Sequence, residues 1–556
     1  MRRRISFHLF SLHFILLFIS IHIEGWQPPL RQWWKQRQET SLVSKDTDTS
    51  SIPTRLPKAP KLDKLEYHPL IGILKHFQKD TAEALLELAN YCRENDLPGV
   101  RLSAGIAGTF ELITDPKLVE FVLSDKGQPN YKEGIFYKSA LDRRGVGLLA
   151  GQGSLLSDGP DHTRKRRLIL PGMDRSSLEG FLEIMETVSM EYSQSLTSNS
   201  TSTSTTQNVG ELLSAIAMKI VGLALFSTNV VEKSIYNDIV VCLEHVVWYT
   251  RHPLAAPMWI PTRRNRKFRK ALKRLDDLVY SLIENGQRQM QGSKEGGLGS
   301  KNDLLSMLLQ ARYDDGGGSK LDDKELRDEI MTLFLAGHET TAITLCWSLW
   351  YLGDPKHEHW QDIIVEEYDR IQNETGYTPG VVEDPEALKN TRSVLCEALR
   401  LRTPSYAFDR EVQQKIIAPG NILWKRKALL MLSPLAMHLD PRYFDNPEEF
   451  DPSRFLEYKE GKDLWDGPYD RSVYLPFGAG RKRCIGYKFA QWESLVILGT
   501  LLKHVKVKRP EGATSVEWEP GVTLRPDRDL ELVFEPREKR VDTGSISGKE
   551  ESSIVD

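Results

Sequence analysis

Paired cysteines are missing from this chain. Its five cysteines, Cys92, Cys242, Cys346, Cys396 and Cys484, are scattered without a CxxC pair. An odd, unspaced set argues against a disulfide framework and against a zinc site. A surplus of one charge is missing as well. The formal net charge is -3, with 27% charged residues, so no overall attraction for nucleic acid is expected. No internal repeat and no glycine-rich nucleotide-binding motif appears, and strand-like alternation is scarce.

Long apolar runs are also rare, and the clearest lies at the N-terminus. Arg2, Arg3 and Arg4 precede an apolar run from Ile5 to Ile23. As a helix this would span roughly 28 Å, close to the hydrocarbon thickness of a bilayer. Residues 1–25 therefore read as an uncleaved signal-anchor, or as a signal peptide cut between Gly25 and Trp26. Residues 26–60 are basic and rich in Pro, Ser and Thr, ending in Pro53, Pro57 and Pro60. They read as a flexible linker. From residue 61 to 537 helical periodicity is continuous, with hydrophilic breaks at Ser193–Gln207 and Gly292–Asn302 that read as surface loops. Residues 538–556 are charged and polar and are expected to be a disordered tail. Asn199 and Asn373 lie in N-x-[ST] sequons, which matter only in an oxidising lumen.

The basic run Arg263 to Arg274 invites a nucleic-acid reading. Its apolar residues Phe268, Ala271, Leu272, Leu275, Leu278, Val279 and Leu282 follow helical spacing, so an amphipathic helix with a basic outer face fits better. The preceding Trp259-Ile260-Pro261 is placed to touch a bilayer. Short strand-like runs cluster at Ala407–Arg410, Gln414–Ile417 and Ala428–Leu432, with Pro419-Gly420 as a turn. The fold class is mainly α with a small β region.

The string FGAGRKRCIG, Phe477 to Gly486, is the most specific in the chain. It sets Cys484 in a glycine-broken, basic loop just ahead of an apolar helix. Gly478 and Gly480 allow a tight turn and close approach to a flat ligand. Arg481, Lys482 and Arg483, together with the N-terminus of the helix near Gly486, favour a thiolate. A thiolate is a metal ligand.

A second string, AGHETT from Ala336 to Thr341, interrupts a helix that starts near Asp322, with Glu325 positioned for a capping box. The helix is otherwise apolar on nearly all sides, which means burial. Polar residues there are costly without partners or a task. The bland alternative is a satisfied cluster whose threonines bond back to the helix carbonyls.

Together these two strings resemble the heme-binding loop and the oxygen-side helix of the cytochrome P450 family. The resemblance covers residues 61–537 and implies the P450 fold as a single heme domain, against the two or three domains that length alone suggests. It implies heme b with Cys484 as the axial thiolate, the arrangement known for that family, and Phe477, Gly478, Gly480, Lys482 and Gly486 around it. It implies O2 as co-substrate, with Thr340 and Glu339 delivering protons and Gly337 making room for the oxygen. Propionate contacts are implied for His162, Arg166, Arg410 and Lys482. Two of these depart from the family pattern, where tryptophan is common at 162 and arginine at 482. Lysine keeps the charge but loses the bidentate fork. Glu397, Arg400 and Arg454 are implied as a structural ion network.

The implied activity is a monooxygenase acting on a small apolar substrate, fatty acid first and carotenoid second. Its electrons would come from a flavin NADPH reductase or a ferredoxin, with Arg481, Arg483 and Lys488 on the docking face. Two alternatives remain open at this point: a heme-thiolate isomerase or peroxide-using enzyme, and a heme sensor without turnover. The implied location is the endoplasmic reticulum membrane through the N-terminus, with a plastid as the alternative.

Overall fold

The structure, a computed structural model, describes residues 42–43, 53–69, 72–103, 109–124, 146–198, 204–228, 233–252, 255–292, 303–313, 321–375, 387–460 and 463–537. The expectations for residues 1–25 and 538–556, and the sequon at Asn199, lie outside them.

The helices that build the site are, in chain order, α1 (Gly159–Ile169), α2 (Arg175–Ser198), α3 (Val209–Phe226), α4 (Lys233–Arg251), α5 (Arg263–Gly292), α6 (Asp323–Leu352), α7 (His359–Thr375), α8 (Lys389–Leu401) and α9 (Tyr487–His504). The strands are short. β2 (Gly99–Ser103), β3 (Thr109–Ile113), β5 (Phe408–Glu411) and β8 (Leu429–Leu432) form one sheet in the order β2-β3-β8-β5. β1 (Leu42–Val43), β6 (Ile416–Ala418) and β7 (Ile422–Trp424) form a second. β4 (Thr205–Asn208), β9 (Val505–Lys508) and β12 (Glu531–Pro536) form a third, and β10 (Trp518–Pro520) with β11 (Leu524–Pro526) is a hairpin.

Helix α6 runs through the centre because its sequence is apolar on every side, and α3 and α5 pack on it. It starts where the sequence placed the start. Asp322 Oδ1 accepts from the Glu325 N–H at 2.7 Å and Glu325 Oε2 accepts from the Asp322 N–H at 3.0 Å, which closes the capping box. Among the described residues, α3 is long and apolar enough to cross a membrane, but it is largely buried against α6 and α2. The basic helix α5 buries Phe268, Ala271, Leu275, Val279 and Leu282 and turns its charges outward, as its pattern predicts, while Trp259 just before it is 73% exposed. Cys92, Cys242, Cys346 and Cys396 are buried free thiols.

Within α8, Arg400 holds Glu397 with two bonds of 2.7 Å, and both side chains are fully buried. Arg454 approaches the same carboxylate at 3.4 Å. Arg400 also donates to the carbonyls of His438, Pro447 and Glu449. The pair is thus satisfied on all sides, which a buried ion pair requires.

Two expectations need correction. The Ser193–Gln207 stretch is not a plain loop: α2 continues to Ser198, and Thr205–Asn208 is a strand paired with β12. The helix accommodates the hydroxyls: Ser189 donates to Met185 O, Ser193 to Ser189 O, Ser195 to Tyr192 O and Thr197 to Gln194 O. Bonding back to the helix satisfies the residues that composition assigns to a loop. Likewise the flexible linker does not extend to residue 60. The Thr54 N–H donates to Asn421 O, Leu423 N–H donates to Thr54 O, Arg101 N–H donates to Pro57 O, and Ala59 N–H donates to Arg101 O. Leu56 is 2% exposed. Prolines cannot donate, but their carbonyls accept, so an extended proline-rich segment can lie along a sheet edge.

Candidate active site

The cysteine loop is shaped by two glycines in the left-handed region, Gly478 at φ 65° and Gly480 at φ 66°. A Cβ on Gly480 would lie 1.8 Å from the Leu123 carbonyl oxygen. At Gly478 and at Gly486 such a carbon would meet nothing within 4 Å. The Cys484 N–H donates to Phe477 O at 2.9 Å, which closes the loop on itself. Gly486 is the N-cap of α9.

Cys484 has accessible surface, yet protein surrounds it on all sides. The surface it exposes faces an internal chamber, since the cysteine lines it. Burial raises the pKa of the thiol, and the Gly486 N–H, Arg166 and Arg483 oppose that rise. The electrostatic support expected from Arg481, Lys482 and Arg483 therefore comes from Arg483 and from Arg166 of α1. Lys482 turns away: it donates to Ser157 O and pairs with Asp158 at 3.6 Å. Arg483 pairs with Asp463 at 2.8 Å and stacks 3.8 Å from the Tyr487 ring centre. It is committed to the loop, which corrects its place on an open docking face, whereas Lys488 is exposed.

Helix α6 supplies the facing wall. Ala336, Gly337, Glu339, Thr340, Thr341 and Thr344 line the chamber. Thr340 Oγ1 donates to Ala336 O at 2.8 Å, so its hydroxyl proton is used within the helix and its oxygen is left able to accept. Burial raises the pKa of Glu339, and the nearby Thr523 and Arg525 oppose that rise. Gly337 carries a second constraint. A Cβ there would point 3.1 Å from Val221 Cγ2 on α3, so the missing side chain serves a helix–helix crossing as well as chamber space.

His162, Arg166, Arg410 and Lys482, expected to meet acidic groups of a ligand, line the same chamber as Cys484. His162 is 3% exposed and its pKa is lowered to about 3, chiefly by burial and then by Lys482, Arg166 and Arg410. A neutral imidazole at that spot can donate one hydrogen bond without adding charge. Arg166 donates to Arg483 O at 2.8 Å, tying α1 to the cysteine loop. Arg410 donates to Asp409 O at 2.7 Å and lies 5.0 Å from the Phe408 ring centre.

Sequence reasoning missed Asp158, Gln491 and Thr523. Gln491 lines the chamber from α9 with a buried Nε2 that has no partner. None of the three stands in a recognisable motif.

The chamber measures about 750 Å³. One side offers a single soft sulfur between two glycines with open space above them, and three cations and a neutral histidine join it. That donor set fits a flat, dianionic iron macrocycle with one thiolate ligand. The orphaned Gln491 amide is a further sign that a polar group belongs in this space.

Comparison with known proteins agrees with this geometry. The family profile described as Cytochrome P450 matches residues 63–532. Cyclooctat-9-en-7-ol 5-monooxygenase of Streptomyces melanosporofaciens is 31% identical over 455 residues, covering 80% of this chain and 89% of that one. The chloroplastic protein LUTEIN DEFICIENT 5 of Arabidopsis thaliana is 26% identical over 459 residues, covering 79% and 72%. The crystal structure of the cytochrome P450DA heme domain superposes with a TM-score of 0.68 at 22% identity, over 88% of this chain and 99% of that one.

Proposed function

The chain belongs to the cytochrome P450 family, and from that premise we propose that it oxygenates a neutral isoprenoid with electrons from a separate donor protein. As a P450 monooxygenase it carries heme b and uses O2. The observation that carries the assignment of roles is that Cys484 and the acid–alcohol pair Glu339–Thr340 line one chamber.

When bound, the heme supplies O2 activation, and the overall change is RH + O2 + 2e⁻ + 2H⁺ → ROH + H2O. Cys484 would hold the iron, with Phe477, Gly478, Gly480 and Gly486 forming the surface beside the thiolate. The propionates would meet His162, Arg166, Arg410 and Lys482. Two protons are needed per turnover, and Glu339 is the carboxyl in this set on the α6 wall. Its pKa, raised by burial, suits a group that holds a proton and passes it on. Thr340 accepts and orients rather than titrates. Val221, Leu225, Leu243, Leu333, Phe408 and Val522 supply apolar wall that excludes water and receives the substrate.

An isoprenoid is placed ahead of a fatty acid for two reasons. The cations at the chamber are already bonded to Ser157, Asp158, Arg483 and Asp409 and would serve the cofactor, which among the described residues leaves a fatty carboxylate without a dedicated partner. The two relatives above bear names that refer to an unsaturated alcohol and to lutein. The electron donor is a flavin reductase if residues 1–25 anchor the chain to the endoplasmic reticulum, and a ferredoxin if they lead to a plastid.

The test is the absorption spectrum of the reduced, CO-bound protein, followed by substrate-binding titration. A strongly red-shifted Soret band, lost in Cys484→Ser, supports the thiolate role. Binding of geranylgeraniol and β-carotene in preference to lauric acid supports the substrate class, and the reverse order rejects it.

A further inference from the structure

The residue immediately before Cys484 is a cation, and a carboxylate 20 residues earlier in the chain meets it. Arg483 donates to Asp463 Oδ2 at 2.8 Å, and the two side chains are only 14% and 19% exposed. The Arg483 guanidinium also stacks on the Tyr487 ring, and its Nε is buried without an acceptor among the described residues. Asp463 is fixed in turn. Its Oδ1 accepts from the Trp465 N–H at 3.2 Å, which caps the short 3-10 turn Leu464–Asp466. Arg471 reaches the same Oδ2 only at 3.5 Å and lies closer to Asp466, at 2.7 Å. The backbone of Arg483 is held from the opposite side, where its carbonyl accepts from Arg166. Trp465, Arg166, Arg483 and Cys484 all line the chamber.

We propose that Asp463 is a positioning residue that holds and neutralises Arg483, and so sets how readily the site at Cys484 takes up an electron. The inference rests on the reading of Cys484 as the iron ligand and adds what tunes that site. Reduction adds one negative charge there. A nearby cation stabilises the reduced form and a nearby carboxylate the oxidised form, more strongly where water is excluded. Arg483 by itself therefore favours reduction. Paired with Asp463 it acts as a dipole, whose field at the sulfur is weaker than that of the bare cation. The Trp465 N–H and the Tyr487 ring hold the pair at its two ends, so it keeps one place beside the cysteine loop. Burial adds to the effect, since solvent and salt screen a covered pair less than an exposed one. The carboxylate thus gives the residue before the ligand a fixed position and a small net field.

The experiment measures the ferric/ferrous midpoint potential of the heme-loaded full chain in wild type, Asp463→Asn, Asp463→Glu, Arg483→Gln and the double variant. Asp463→Asn leaves Arg483 uncompensated. Its equilibrium constant for reduction is expected to rise about 3- to 10-fold, the upper figure being about 59 mV for one electron. Arg483→Gln leaves the carboxylate alone and lowers the constant by a similar factor. The double variant returns to within about twofold of wild type, because the two charges are removed together. Asp463→Glu keeps the wild-type potential. A pair that only props the loop would move both single variants in the same direction. That result overturns the proposal, as does an unchanged potential in Asp463→Asn. In the apoprotein the two single substitutions are expected to be non-additive in urea unfolding, and strict additivity overturns the pairing. If Asp463→Asn does not load heme, Asp463→Ser keeps an acceptor for the Trp465 N–H and carries the same measurement. A red-shifted CO band that survives Cys484→Ser instead overturns the underlying reading of the ligand.

Discussion

Gly478 and Gly480 look alike in the sequence and share a left-handed backbone, but their surroundings separate them. Gly480→Ala drives a carbon into the Leu123 carbonyl oxygen as well as straining φ. It is expected to cost at least about 2 kcal/mol, seen as a lower urea midpoint of the apoprotein. Gly478→Ala meets open space there. It costs only the φ strain of about 1–2 kcal/mol in the apoprotein, with a larger loss in heme affinity, read by titration with hemin. Arg400→Ala leaves Glu397 buried and unpaired, so a loss of about 3–5 kcal/mol is expected in the same urea assay. Cys484, Glu339, Thr340 and this arginine pair were legible because each sits in a short string whose chemistry is local. Thr523, Gln491 and Asp158 were not, because only the fold, and no local string, brings them to the chamber wall.

Helices were easier to read than the joints between them. The start of α6 was visible because Asp322 and Glu325 cap it within four residues, and α9 because Gly486 precedes an apolar run. The end of α2 was hidden by a serine- and threonine-rich composition that reads as loop until the back-bonds to Met185, Ser189, Tyr192 and Gln194 are known. Gly337 was assigned to ligand space because the sequence shows one helix at a time. The crossing with α3 supplies its second role, and that role can be measured. In the wild-type background Gly337→Ala gains helix propensity and meets Val221 at 3.1 Å, so the two effects largely offset. In a Val221→Ala background the contact is relieved, and adding Gly337→Ala is expected to stabilise by about 1 kcal/mol. A thermal double-mutant cycle checks this, and strictly additive values would reject the contact.

For the molecule as a whole, buried titratable groups set opposite slopes in stability against pH. His438 is fully buried with its pKa lowered to about 3, by burial first and Arg400 second, and its Nε2 accepts from the Leu475 N–H. His245 is lowered to about 4 by burial and then by Arg264. A histidine with a depressed folded pKa stabilises above its unfolded value near 6.5, and the gain is lost as pH falls towards the folded pKa. Below pH 6.5 each is expected to remove about 1.4 kcal/mol per pH unit. Glu493 acts the other way: burial pushes its carboxyl well above the usual range, with the Thr341 hydroxyl as partial relief. Its contribution is full below pH 4.5 and declines as pH rises. Glu493→Gln is therefore expected to steepen the rise in melting temperature between pH 5 and 6.5 and to remove the loss above it. Calorimetry across pH 4–9 would show this, and an unchanged profile would contradict it. At this scale the single-body fold was legible from the strings that resemble the P450 family and not from length, which alone argued for more domains.

The segment from Thr54 to Ala59 carries a mechanical consequence. It is tied at one end to the β6–β7 turn and at the other to β2, so tension applied through the N-terminus is delivered to two sheets and not to the helical core. Load arriving there must break Leu423–Thr54 and Arg101–Pro57 bonds and pull Leu56 from its pocket before it reaches the chamber. A chain cut before residue 53 keeps that strain relief, and a cut after residue 60 discards it with about 3 kcal/mol or more of stability.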